Sequence, residues 1–199
     1  MLTEKKRKLY LFTISFCMNL VFFLIAHFLK LPLWLDTTGT IFISLSLNFP
    51  AGFLIGLINN TILSLGFFGF NSIFYYIISA AVALTTSICV KKSKEINMKF
   101  ALLLSTSLFF VSVILAIPLT IALDGGIPSD YWGRYLYELF LKNNIHNIVS
   151  TIMSVSIIKF FDIIATVIIV IFAYKLTPQK IKNSSNVIST SYRRQEYGR

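Results

Sequence analysis

Apolar positions along this chain gather into long unbroken stretches separated by short polar breaks. Crossing a bilayer as a helix takes about 20 consecutive apolar residues. Six stretches are read as spans, at residues 9–29, 38–49, 51–68, 73–90, 100–123 and 154–176. The second is short for a crossing and ends before Pro50, so it needs help from its neighbours or a locally thinned bilayer. Runs such as TVIIVIFAY at 166–174 do not alternate, as the strands of a membrane barrel would. The pattern therefore predicts an all-α, polytopic integral membrane protein with six transmembrane helices. Residues 91–99 form a polar loop, and 124–147 a long loop before the last span. The domain is placed at 1–178. The tail at 179–199 is polar and basic, and is expected to be disordered or to lie on anionic lipid.

Composition agrees with the pattern. The 199 residues are 56% hydrophobic and 13% charged, and mean hydropathy is +0.76. Soluble domains carry roughly 25% charged residues. The net charge of +10 does not point to nucleic acid, because the basic residues flank apolar segments rather than forming a face. With both termini in the cytoplasm, inner segments hold 14 of the 18 basic residues, and outer loops hold only Lys30, Arg134 and Lys142. The positive-inside rule selects this arrangement. The N-terminal KKRK and the run after it imitate a signal peptide, but the run exceeds the usual 7–15 apolar residues and no A-x-A-like site closes it. It is expected to stay as the first span. Cys17 and Cys89 both fall in spans, where a buried apolar role is expected for each.

The chemistry-bearing residues gather at the outer side. LPLWLDTTGT at 31–40 interrupts two apolar runs with a carboxylate, three threonines and a glycine. Asp36 or Thr37 fits an N-cap for the second helix. The same cluster also fits a ligand pocket, with Trp34 as a flat wall and Thr37 and Thr40 as hydroxyl donors. The two readings are compatible. In the third span, Gly52 and Gly56 form G-x-x-x-G, a spacing that lets helices approach closely. Asn59 and Asn60 need partners at membrane depth, either across helices or along a cavity. Lys159 and Asp162 share a helix face and can pair; Lys159 is expected to snorkel and Asp162 to serve a pocket. Trp132 is read either as a pocket residue or as an interfacial anchor. The candidate ligand-binding set is thus Trp34, Asp36, Thr37, Thr40, Asn59, Asn60, Trp132 and Asp162, with Gly52 and Gly56 for helix packing. No metal-ligand pattern, nucleotide fingerprint or catalytic motif occurs in the sequence. A binding protein without cofactor is expected, rather than an enzyme.

The segment LPLWLDTTGTIFISLSLNFPAGFLIGLINN resembles the first loop to third helix of the membrane-embedded substrate-binding (S) components of energy-coupling factor transporters. In that family an L-P-x-x-x-D-x-x-G-T loop precedes P-x-G-x-x-x-G-x-x-x-N. The later DGG…YWG and FFDIIATVIIVIFAYKLTP are similar to the fifth loop and last helix, so the resemblance spreads over most of residues 30–178. It implies a six-helix protein of the bacterial cell membrane. Such a protein captures a vitamin or similar small organic nutrient from outside, in a pocket closed by the loop between helices one and two. The resemblance further implies docking on a transmembrane coupling protein with two cytoplasmic ATPases, and release inside when the S component topples in the membrane.

Two departures are visible. Family members often carry A-x-x-x-A in helix one, where this chain has only Ala26 and, at that spacing, Thr13 and Cys17. Members often have Asp-Lys in helix six, where this chain has Asp162-Ile163. The missing alanine pair motivates an alternative reading, a membrane sensor or interaction module that reports ligand to a partner protein.

Overall fold

A computed structural model describes residues 4–93 and 95–178. The predicted tail at 179–199 lies outside the described residues. Among the described residues the chain is all helical: α1 (Glu4–Phe28), α2 (Thr38–Ser46), α3 (Phe49–Leu63), α4 (Tyr76–Lys92), α5 (Met98–Asp124), α6 (Tyr131–Lys142) and α7 (Asn147–Leu176). A π-turn at Ser64–Phe68 extends α3, and a 3-10 segment at Phe70–Tyr75 leads into α4.

Among the described residues, five helical segments are long and apolar enough to cross a membrane: Glu4–Phe28, Phe49–Phe68, Phe70–Lys92, Met98–Asp124 and Asn147–Leu176. The segment read as the second span is different. α2 has 9 residues, which at 1.5 Å per residue is about 14 Å, roughly half the hydrocarbon thickness. All of its residues are buried, so it is a central strut walled by α1, α3, α4 and α7.

Small residues make that central position possible. A Cβ on Gly39 would lie 1.7 Å from the Ser15 carbonyl oxygen of α1, so only glycine permits the crossing. On the other side α3 runs antiparallel to α2. A Cβ on Gly52 would meet Ser44 Oγ at 1.8 Å, and one on Gly56 would come 3.0 Å from Ser79 Cβ of α4. The expected packing role of Gly52 and Gly56 thus has specific partners on α2 and α4. The start of α3 is capped by Asn48, whose side chain accepts from the Ala51 amide at 3.1 Å, and Pro50 sits in the first turn, where its missing N–H costs no bond.

The expected loop at 124–147 contains α6. Its inward residues Gly133, Leu136, Tyr137, Phe140 and Leu141 follow helical spacing, and Asp130 caps it by accepting from the Gly133 amide at 2.6 Å. This periodicity is short and surrounded by turn residues, so it does not stand out among spans. α5 ends where Gly125 takes a left-handed φ of 65° and the Gly126 amide closes on Thr120 O at 3.0 Å. α7 starts seven residues before the expected 154, at Asn147.

Helix direction alternates only when the short α2 is counted, so α1, α3 and α5 run one way and α2, α4 and α7 the other. Lys5, Lys6, Arg7 and Lys8 of α1 therefore share one end of the bundle with Lys91, Lys92, Lys99 and Lys175. The loop at 29–37, the π-turn and α6 share the other end, called here the loop end.

Overpacking a tight site typically costs about 1–3 kcal/mol and sometimes more. Gly39→Ala should lower the thermal unfolding midpoint in detergent by several degrees. Gly66→Ala, which meets nothing within 4 Å, should leave it unchanged; equal midpoints for the two variants would contradict the crossing described.

Candidate functional site

The first loop ends in a residue whose backbone is strained. Leu35 holds φ at 54°, a region costly for a side chain with a Cβ. Two contacts keep it there. Its side chain is buried, and its amide, together with that of Trp34, donates to Asp162 Oδ1 at 2.9 Å each. The second Asp162 oxygen faces Lys159 Nζ at 3.7 Å. The last helix thus grips the first loop.

The start of α2 is capped from a neighbouring helix. Thr37 occupies the N-cap position, yet neither its side chain nor that of Asp36 caps α2. Instead Asn19 of α1 accepts from the Gly39 amide at 2.6 Å and the Thr40 amide at 3.2 Å, and donates to Thr40 Oγ1 at 2.9 Å. The expected cap by Asp36 or Thr37 is replaced because Gly39 lets α1 come close enough to insert Asn19. Freed from capping, the Asp36 carboxyl turns elsewhere.

It turns into a cavity of about 300 Å³ at the loop end. The loop contributes Trp34, Asp36 and Thr37; α3 and the π-turn contribute Asn60, Leu63, Ser64 and Phe68. Tyr75 of the 3-10 segment, Ser79 of α4, Thr120 and Asp124 of α5, Asp130 before α6, and Val155, Ile158 and Lys159 of α7 complete the wall. Four members of the candidate set, Trp34, Asp36, Thr37 and Asn60, therefore meet in one hollow.

The other four stand off it. Thr40 is fully buried against Asn19. Asn59 turns toward the loop, where its Nδ2 donates to Asp36 O at 3.1 Å. Asp162 lies behind the wall, holding the loop backbone. Trp132 is on α6, where its Nε1 donates to Lys30 O at 2.6 Å and ties the start of the same loop to that helix. Three of these four, Asn59, Trp132 and Asp162, fix the loop that forms the wall. Asn60 itself donates to Gly56 O at 2.9 Å and to Ser79 Oγ at 2.7 Å, which bridges α3 to α4.

Lys159 does not snorkel. Its side chain is 15% exposed, it lines the cavity, and its ammonium lies 5.9 Å from the Trp34 ring centroid. Asp124 and Asp130 join the wall as well; Tyr75 Oη donates to Asp124 Oδ2 at 2.5 Å. Their signal in the sequence was the one that marked Asp36, a carboxylate just beyond a long apolar stretch. Among the described residues, no three of His, Cys, Asp and Glu converge closely enough to hold a metal ion.

Burial pushes the Asp36 carboxyl up to about 6, opposed by Lys159 and reinforced by Asp162. Its remaining accessible surface faces the cavity. Burial also raises Asp130, against the bond from the Gly133 amide and the charge of Lys159. Comparison with protein-family models, with curated proteins and with solved structures finds no match to this chain.

A carboxyl raised by folding favours the folded state when protonated, and that contribution is lost as pH rises through the folded value. Stability from Asp36 should thus be fully present below its ordinary value near 3.8 and lost through about 6. Asp36→Asn should melt higher than the parent above that window and equal to it well below, as read by unfolding scans across pH. Asp162→Ala should deprotect the Trp34 and Leu35 amides in hydrogen exchange and cost about 3–5 kcal/mol, since Lys159 is left without its partner. Unchanged protection at both amides would refute the grip.

Proposed function

We propose that this chain is the substrate-capture subunit of an uptake transporter of the energy-coupling factor type, seated in a bacterial cell membrane. It binds a vitamin or similar small organic nutrient from the exterior. The observation that carries this reading is the cavity. Trp34, Asp36 and Thr37 of the loop and Asn60 of α3 share its wall at the end of the bundle remote from the basic helix termini. Its volume, about 300 Å³, lies at the lower edge of small-molecule pockets, which run to roughly 300–1,000 Å³.

In this reading α2 and its flanking segments make the second of six crossings, with both termini in the cytoplasm. The basic helix ends support that orientation, because positive charge is retained on the cytoplasmic side. The loop at 29–37 closes the pocket, held by Asp162, Asn59 and Trp132. Import is driven by partners: a transmembrane coupling protein and two cytoplasmic ATPases. A sensor of the same fold is the alternative, favoured by the lack of a closely spaced alanine pair on α1.

The protein purified from its own host without ATP should carry one small molecule per chain in native mass spectrometry. A folded preparation that never retains any compound would defeat the proposal. Affinity purification should recover a membrane protein and two ATPases, whereas a kinase or phosphatase in their place would select the sensor.

A further inference from the structure

The cavity wall is unbalanced in charge. Among the described residues, Asp36, Asp124 and Asp130 face it against the ammonium of Lys159. That ammonium already has a partner behind the wall, the buried Asp162 carboxylate at 3.7 Å, so it offers an anion little uncompensated charge. Among the described residues, no other side chain donates to the Asp36 carboxyl, which is served by its own backbone amide. Asp124 takes a hydrogen bond from Tyr75, and Asp130 takes bonds from the Gly133 amide, its own amide and the Trp34 indole. Each carboxylate keeps lone pairs for a further donor. Carboxylates enclosed in this way are costly to keep ionised unless positive charge arrives.

The apolar part of the wall fits the same class of ligand. Trp34, Phe68 and Tyr75 border the hollow, and aromatic faces attract cations. The Trp34 face already draws the Lys159 ammonium to 5.9 Å from its centroid. The carboxylates are spread around the wall and do not meet as a metal-ligand group, which suits a charge mounted on a larger body.

We propose that the ligand of this cavity is an organic cation, an ammonium or amidinium group on a flat apolar body. Asp124 and Asp130 receive the charged group, and Trp34, Phe68 and Tyr75 bracket the body. The proposal rests on the capture reading above and adds the substrate class to it.

The test dialyses the full-length chain, purified in detergent, against a small-molecule extract of bacterial cells at neutral pH. Retained compounds are identified by mass spectrometry and retained metals by elemental analysis. The expected result is an organic compound that is positively charged at that pH. Asp124→Asn and Asp130→Asn keep side-chain shape, and asparagine still caps α6. Each should weaken retention about tenfold, the worth of one charge-assisted hydrogen bond, with unfolding transitions like the parent's. Retention of a neutral or anionic compound, or of a metal ion alone, overturns the cation assignment and leaves capture standing. A cation retained equally by both folded variants overturns the role given to these carboxylates. Retention of nothing by folded protein overturns both readings.

Discussion

One carboxylate, Asp162, joins the two ends of the chain and sets the shape of everything at the loop end. It accepts the Trp34 and Leu35 amides and faces the Lys159 ammonium from a nearly fully buried position on α7. Two charge-assisted bonds to backbone, each stronger than a neutral one, hold Leu35 in a left-handed conformation it would otherwise avoid. That conformation directs Trp34 and Asp36 toward the cavity. Asn59 and Trp132 hold the same loop, 29–37, at Asp36 O and Lys30 O.

The same loop depends on close packing below it. α2 is half the length a crossing needs and contributes no lipid-facing surface, so its stability comes from contact on every side. Two of its hydroxyls bond locally, Thr38 Oγ1 to Leu35 O and Ser44 Oγ to Thr40 O, each at 2.7 Å. Asn19 supplies the cap that the loop's own side chains do not. Because α1 serves that purpose, Asp36 stays available to the hollow.

Charge at this end runs against stability. A carboxyl held up to about 6 by burial weakens the fold at neutral pH. Groups kept at such a cost are functional-site candidates on physical grounds. The surplus of Asp36, Asp124 and Asp130 over Lys159 is the electrostatic counterpart of the cavity's shape.

Features that depend on local pattern are legible in the order of residues alone. Long apolar runs specified helices long and apolar enough to cross a membrane, Gly52 and Gly56 marked a close helix contact, and the carboxylate and indole of 31–40 marked the polar end. The sequence also contained α6, in the spacing of Gly133, Leu136, Tyr137, Phe140 and Leu141, although that signal is faint beside the spans. Which polar side chains line the cavity and which hold the frame emerges only from the packing of the helices. Thr40, Asn59, Trp132 and Asp162 look no different in sequence from Trp34, Asp36, Thr37 and Asn60. The distinction arises from partners 20 or more residues away, Asn19 for Thr40 and the loop backbone for Asp162. A side chain's direction is fixed by the nearest group able to satisfy it, and that group is set by how helices cross, which no local period encodes.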